Sequence, residues 1–213
     1  MIPTDHSTFK IIVPWFPGGC WVVDIPESGW GGLSGANDWP YKAPESWKVD
    51  WKTNADGSRI EYFNKKGDKS VKVVVTAEGD SVECGIHPVN LGRINLASIC
   101  VKALNPFFCS QEVMCQHYVR GKQLVPVSSL PRQGDSALQF AWRGNKPPSH
   151  GASLMRSLDG NGYFAVIGPQ GCGGGGNGCY PCTHLNGQYS DGDANIKLIF
   201  QVCGEKEIIE RLN

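Results

Sequence analysis

Turn signals cut this chain into short runs. Asn54-Ala55-Asp56-Gly57, Lys66-Gly67-Asp68, Glu78-Gly79-Asp80 and Asp159-Gly160-Asn161 all pair a glycine with Asn or Asp. Glycine supplies the left-handed backbone of a tight turn, and the short polar side chain hydrogen-bonds locally. Between these breaks apolar residues alternate. Val71, Val73 and Val75 are interleaved with Lys72 and Val74, and Val82, Cys84 and Ile86 with Glu83, Gly85 and His87. Period two puts each apolar set on one face of a strand. Breaks every ~8–12 residues leave little room for long helices and mark an all-β sandwich or barrel.

The rest of the chain reads the same way. Residues 9–16, 58–64, 94–101, 118–127, 136–143, 153–156, 163–167 and 196–202 are expected strands, and 205–212 a short C-terminal helix. Six of the seven tryptophans fall before residue 52. Residues 24–47 have no period and are expected to form a long ordered loop; the aromatic content argues against disorder. The glycine run 171–178 reads as a flexible flap. The expectation is one domain over 1–213. It is an antiparallel, supersandwich-like core from residue 51 on, with residues 1–50 as a Trp/Gly/Pro-rich wrapping segment.

Bulk properties exclude some functions. The 20 basic and 20 acidic residues cancel, so no basic field draws the chain to nucleic acid or acidic lipid. No apolar run approaches the ~20 residues of a membrane helix. Residues 1–10 lack the pattern of a signal peptide, so a cytoplasmic location is expected, with a secreted or periplasmic protein whose signal was removed as the alternative.

Nine cysteines admit disulfides, buried thiols or a metal. Two Cys-x-His triplets stand out, Cys115-Gln116-His117 and Cys182-Thr183-His184. On a strand, residues i and i+2 share a face. If the two strands were neighbours, Cys115, His117, Cys182 and His184 would make a tetrahedral zinc set. Cys179 is a substitute ligand. Disulfides Cys172–Cys179 or Cys109–Cys115 are the rival use of the same thiols.

Three places carry a family resemblance. They are Val82–Ile86 running on to Ser98-Ile99-Cys100-Val101 and Asn105-Pro106-Phe107; Leu154-Met155-Arg156-Ser157-Leu158-Asp159-Gly160 with the strand after it; and Cys179-Tyr180-Pro181-Cys182-Thr183-His184-Leu185. Over about residues 51–200 the chain resembles a bacterial group of galactose-mutarotase-like β-sandwich proteins. The resemblance implies an antiparallel sandwich with a carbohydrate-facing concave sheet, and places the His184 segment near that face.

Candidate chemistry follows. Glu83 and His87 share a strand face, about 13 Å apart at strand rise. Epimerisation needs a base and an acid on opposite sides of a sugar ring, roles open to His87 with His117 or His184. Arg156 suits a uronate carboxylate, and Tyr118 offers a phenol. Trp30 and Trp39 form either a sugar platform or core plugs. The expected catalytic residues are thus His184, His87 and Glu83, and the expected sugar-binding residues Trp30, Trp39, Tyr118, Arg156 and His117. Hydrolysis fits less well, since it needs a carboxylate pair and only Glu83 with Glu61 suggests one. The function expected is carbohydrate recognition, with epimerase or lyase activity as its catalytic form. The alternative is a zinc-stabilised structural or interaction protein.

Overall fold

A computed structural model describes residues 1–26, 33, 48–95, 100–108, 116–120, 122–126, 129, 139–140, 152–168, 173–177, 182–186, 188–190 and 192–212. In chain order the strands begin with β1 (Ile2–Pro3), β2 (Thr8–Ile11) and β3 (Cys20–Asp24). A meander follows: β4 (Lys52–Thr53), β5 (Arg59–Lys66), β6 (Lys69–Glu78) and β7 (Ser81–Val89). Then come β8 (Arg93–Asn95), β9 (Cys100–Leu104), β10 (Gln116–Arg120), β11 (Gln123–Pro126) and β12 (Gln139–Phe140). The last group is β13 (Ala152–Arg156), β14 (Gly162–Ile167), β15 (Gly173–Asn177), β16 (Cys182–Asn186), β17 (Gln188–Ser190) and β18 (Ala194–Val202), closed by α1 (Glu205–Leu212).

Two antiparallel sheets dominate. One has seven strands in the order β1-β2-β3-β9-β16-β15-β12, the other nine in the order β11-β10-β13-β14-β18-β7-β6-β5-β4. β17 and β8 form a separate pair. The all-β sandwich and the short C-terminal helix expected from the sequence are both present.

The core lies between the sheets and follows the alternation. The seven-stranded sheet contributes Phe9, Ile11, Trp21, Val23, Val101 and Ala103; the nine-stranded sheet contributes Ile60, Tyr62, Val71, Val73, Val75, Val82, Cys84 and Ile86 among others. Trp21 is fully buried and packs on Phe16, Phe108, Phe164 and Phe200, with the Phe200 ring centroid at 4.8 Å. Burying each such side chain stabilises the fold by about 1.5–3 kcal/mol before entropy is counted. The β6–β7 turn needs glycine: Gly79 has φ +57°, a region costly for residues with a Cβ.

A second apolar layer forms on the outer face of the nine-stranded sheet. Leu154, Tyr163, Ala165 and Ile199 face outward and are covered by Ile208, Ile209 and Leu212 of α1. The helix begins with Glu205 and Glu207 and ends with Arg211, which matches its dipole. Arg211 clamps Asp80 of the β6–β7 turn through two hydrogen bonds, one of them Nη2 to Oδ1 at 2.6 Å.

Three features differ from the sequence reading. Residues 1–26 do not wrap the core: β3 pairs with β9 across the middle of a sheet, Trp21 opposite Ala103 and Val23 opposite Val101. The glycine run is not a flap. Gly173–Gly176 pair with Asn186–Thr183 as a strand ladder, and β13 approaches β15 and β16 within 8 Å between Cα atoms. That is closer than the ~10 Å of ordinary sheet stacking, and strand residues without side chains make it sterically accessible. The stretch 94–101 is shared by β8 and β9, which belong to different sheets. Among the described residues no helix is long and apolar enough to cross a membrane.

Candidate functional site

β7 turns Val82, Cys84 and Ile86 inward and leaves Glu83, Gly85 and His87 outside. The ladders extend this outer face sideways. His87 lies opposite Lys72, which lies opposite Phe63; Gly85 lies between Val74 and Asn195; Glu83 lies between Thr76 and Lys197. The patch is a polar surface with one aromatic residue, Phe63, which is 62% exposed.

Its charges are paired. His87 Nδ1 lies 2.8 Å from Asp193 Oδ2. Lys197 Nζ donates to Glu83 Oε1 at 3.0 Å. Arg59 Nη2 donates to Glu61 Oε2 at 2.8 Å, and Lys72 Nζ lies 3.4 Å from the same oxygen. The Arg59 hydrogen bond holds the Glu61 carboxyl below its ordinary value, which suits an ionised acceptor better than a general acid. Gly85 makes room for the imidazole: a Cβ there would sit 3.0 Å from His87 Nε2 and 3.4 Å from Asn195 Oδ1. The ring therefore folds back along its own strand toward Glu83, which shortens the span that strand rise alone imposes.

The other expected residues do not join this patch. His117 is buried on β10, opposite Leu154. Leu154 belongs to the layer under α1, so His117 shares the outer face of the nine-stranded sheet with His87. β10 and β7 are four strand spacings apart in the sheet order, about 19 Å, too far to act on two sides of one sugar ring. Arg156 folds over the β13–β14 turn, its Nε 3.5 Å from the Gly160 carbonyl oxygen. Tyr118 is on β10, opposite Val125. Trp30, Trp39 and Cys115, and the disulfides Cys172–Cys179 and Cys109–Cys115, lie outside the described residues.

Cys182 and His184 are both on β16, as an extended Cys-x-His requires, but β16 lies in the seven-stranded sheet. Thr183 pairs with the core residue Val101, so Cys182 and His184 fall in register on that sheet's outer face. By register His117 and the β16 pair therefore belong to the outer faces of different sheets, with the core between them. The neighbouring strands on which the four-ligand zinc set depended are not formed. His87 and His184 stand on strands of different sheets, so the described residues do not bring the pair together. Among the described residues no group of three potential metal ligands comes together.

The sequence reading missed Phe63, Asp193, Asn195 and Lys197. Phe63 had a signal: it is out of phase with Ile60 and Tyr62, whose alternation sends it to solvent. The β18 residues had none, because β18 reaches β7 only through a pairing 114 residues apart, such as Lys197 with Glu83.

No family model and no curated protein matches the chain. Solved structures do resemble it. Two structures of the alpha-N-acetylgalactosaminidase NagBb from Bifidobacterium bifidum, one ligand free and one a quadruple mutant, align over 96% of this chain at TM-score 0.55 and 11% identity. This chain spans 36% of that enzyme. A protein of Synechocystis sp. PCC 6803 aligns over 87% of this chain and 79% of its own at TM-score 0.45 and 11% identity. The likeness is one of fold, diffuse at the level of sequence.

Proposed function

We propose that the protein recognises carbohydrate on the outer face of the nine-stranded sheet, between β5 and β18. The observation that carries this is the row Phe63, Lys72, His87 with Asp193 beside it. An exposed aromatic face stands in line with an ammonium, an imidazole and a carboxylate. Pyranose recognition uses these groups: the ring's C–H face packs on an aromatic, and its hydroxyls exchange hydrogen bonds with planar polar groups held in place. The fold likeness to an alpha-N-acetylgalactosaminidase supports a sugar and makes N-acetylhexosamine-containing oligosaccharides the first ligands to try.

Turnover, if the site has it, falls to His87. Asp193 at Nδ1 orients the ring, leaving Nε2 above Gly85 to take or give a proton. Glu83, paired with Lys197, lines the same patch. This arrangement suits proton transfer at a sugar carbon, the step shared by epimerisation and β-elimination.

The test is titration calorimetry against a panel of oligosaccharides with wild type, Phe63→Ala and His87→Ala. Binding that weakens at least ~10-fold in both variants, each still folded by circular dichroism, is expected. Equal binding by wild type and both variants, or none to any sugar, overturns the reading. Product analysis by NMR on the binding sugar separates an epimerase from a binder, and a new ultraviolet absorbance marks a lyase.

A further inference from the structure

Charge balances over the whole chain but not along it. Residues 59–72 hold Arg59, Lys65, Lys66, Lys69 and Lys72 against only Glu61 and Asp68. Arg59 and Lys72 share Glu61, and Asp68 accepts from Asn90 Nδ2 at 3.5 Å. Among the described residues no carboxylate forms an ion pair with Lys65, Lys66 or Lys69. Lys66 and Lys69 stand directly opposite each other at the β5–β6 turn, a placement that like charges make unfavourable. A bound anion relieves that repulsion.

Register ties this charge to the face between β5 and β18. Ile60 and Tyr62 turn into the core, so Phe63 and Lys65 turn outward together. They are two residues apart, about 6.8 Å along the strand. Lys72 lies opposite Phe63 and is the diagonal neighbour of Lys65, about 7–8 Å from it. The exposed ring thus has two lysines beside it, one of them with no carboxylate of its own. Lys66 and Lys69 are in phase with Tyr62 and Val71, on the other side of the hairpin. They raise the potential around Lys65 over a range of about 8 Å at physiological salt without joining the platform.

We propose, resting on the carbohydrate reading above, that the sugar bound on this face belongs to an acidic polysaccharide. A pyranose packs on Phe63 and its carboxylate or sulfate lies between Lys65 and Lys72. An ammonium is a compact charge with three rotatable donors on a flexible stem, which suits an anion repeated along a mobile polymer. A membrane surface fits less well. The tip of the hairpin is Gly67-Asp68, with no apolar side chain to enter lipid and a carboxylate at its end, while the aromatic lies back on the sheet.

The test is titration calorimetry with unsulfated chondroitin, chondroitin sulfate and polygalacturonate, with carboxyl-reduced chondroitin as the neutral polymer of matching backbone. Wild type is expected to bind an acidic polymer at least ~10-fold more tightly than the neutral one, and less tightly as salt rises. The triple variant Lys65→Gln, Lys66→Gln, Lys69→Gln, folded by circular dichroism, loses most of that advantage. Phe63→Ala weakens acidic and neutral polymers alike. Preference for chondroitin sulfate over chondroitin identifies the anion as sulfate, and equal affinity for the two as carboxylate. No binding of any acidic polymer, or an acidic advantage that survives in the triple variant, overturns the proposal. So does equally tight binding of polyglutamate or of phosphatidylserine vesicles, which marks a general anion surface. Equal affinity for acidic and neutral polymers, still lowered by Phe63→Ala, overturns this proposal and leaves the carbohydrate reading standing, so the two fail separately.

Discussion

Trp21 touches more of the core's aromatic residues than any other ring named above, and its indole Nε1 finds no hydrogen-bond partner among the described residues. Trp21→Ala therefore costs about 3–5 kcal/mol. Trp21→Phe costs less, because it removes the unpaired donor along with the volume; urea unfolding of the two variants checks the order. Cys84, directly behind the His87 patch, is fully buried, and desolvation with the nearby Glu83 charge pushes its thiol up to about 12 from an ordinary 9.0. The unfolded chain releases this proton first. The stability Cys84 contributes is thus complete below pH 9 and is lost as pH rises toward about 12. The stability difference between wild type and Cys84→Ala should stay flat up to pH 9 and shift against wild type above it. Gly85→Ala should leave the melting temperature nearly unchanged, since the atom it meets is the mobile end of His87. It should still weaken sugar binding by displacing the imidazole, and calorimetry reads that separation directly. The face shared by Glu83 and His87 was legible from period two alone. Their partners Asp193 and Lys197 were not, because nothing local ties residues so far apart in the chain.

At the scale of elements the same distinction holds. β5, β6 and β7 could be read directly, since alternation and turn glycines act between adjacent residues. β15 could not: a run of glycines has no alternation, and only its ladder to β16 makes it a strand. The N-terminal strands were undervalued for a related reason, as their pairing partner β9 begins about 76 residues after β3 ends. The helix α1 was legible from its apolar stripe, but what holds it down was not. Arg211 bonds to Asp80 and, through Nη1, to Gln201 Oε1 at 2.8 Å. The Arg211 hydrogen bonds hold the Asp80 carboxyl below its ordinary value. That contribution is present above the ordinary carboxyl range and disappears as pH falls through the lowered value. Asp80→Asn should therefore speed amide exchange in α1 at neutral pH, and the difference from wild type should vanish in acid. Equal exchange in the two proteins at neutral pH would show that apolar packing alone seats the helix.

At the scale of the molecule, the described strands of residues 1–26 belong to a sheet rather than to a wrapper. Residues from both sheets meet around Trp21, and the seven-stranded sheet draws its first three strands from the N-terminus. A chain lacking residues 1–26 should show no cooperative unfolding transition by circular dichroism, because β9 then loses its neighbour and the core loses Phe9, Trp21 and Val23. A sharp transition in that fragment would restore the wrapping-segment view. The outer edges are modest: β4 is two residues long with Lys52, and β1 carries Pro3, both devices that discourage edge-to-edge pairing.

The place of β18 sets a schedule for synthesis. It is the last strand made, yet it sits inside the nine-stranded sheet, hydrogen-bonded to β14 on one side and β7 on the other. While the chain is emerging from the ribosome, the meander ends at an open β7 edge for more than a hundred residues. Chains stalled before residue 194 would display that edge, with its unpaired backbone groups, to any other extended polypeptide nearby. The nascent protein thus depends on either prompt completion or a chaperone that shields β7 until its permanent neighbour arrives.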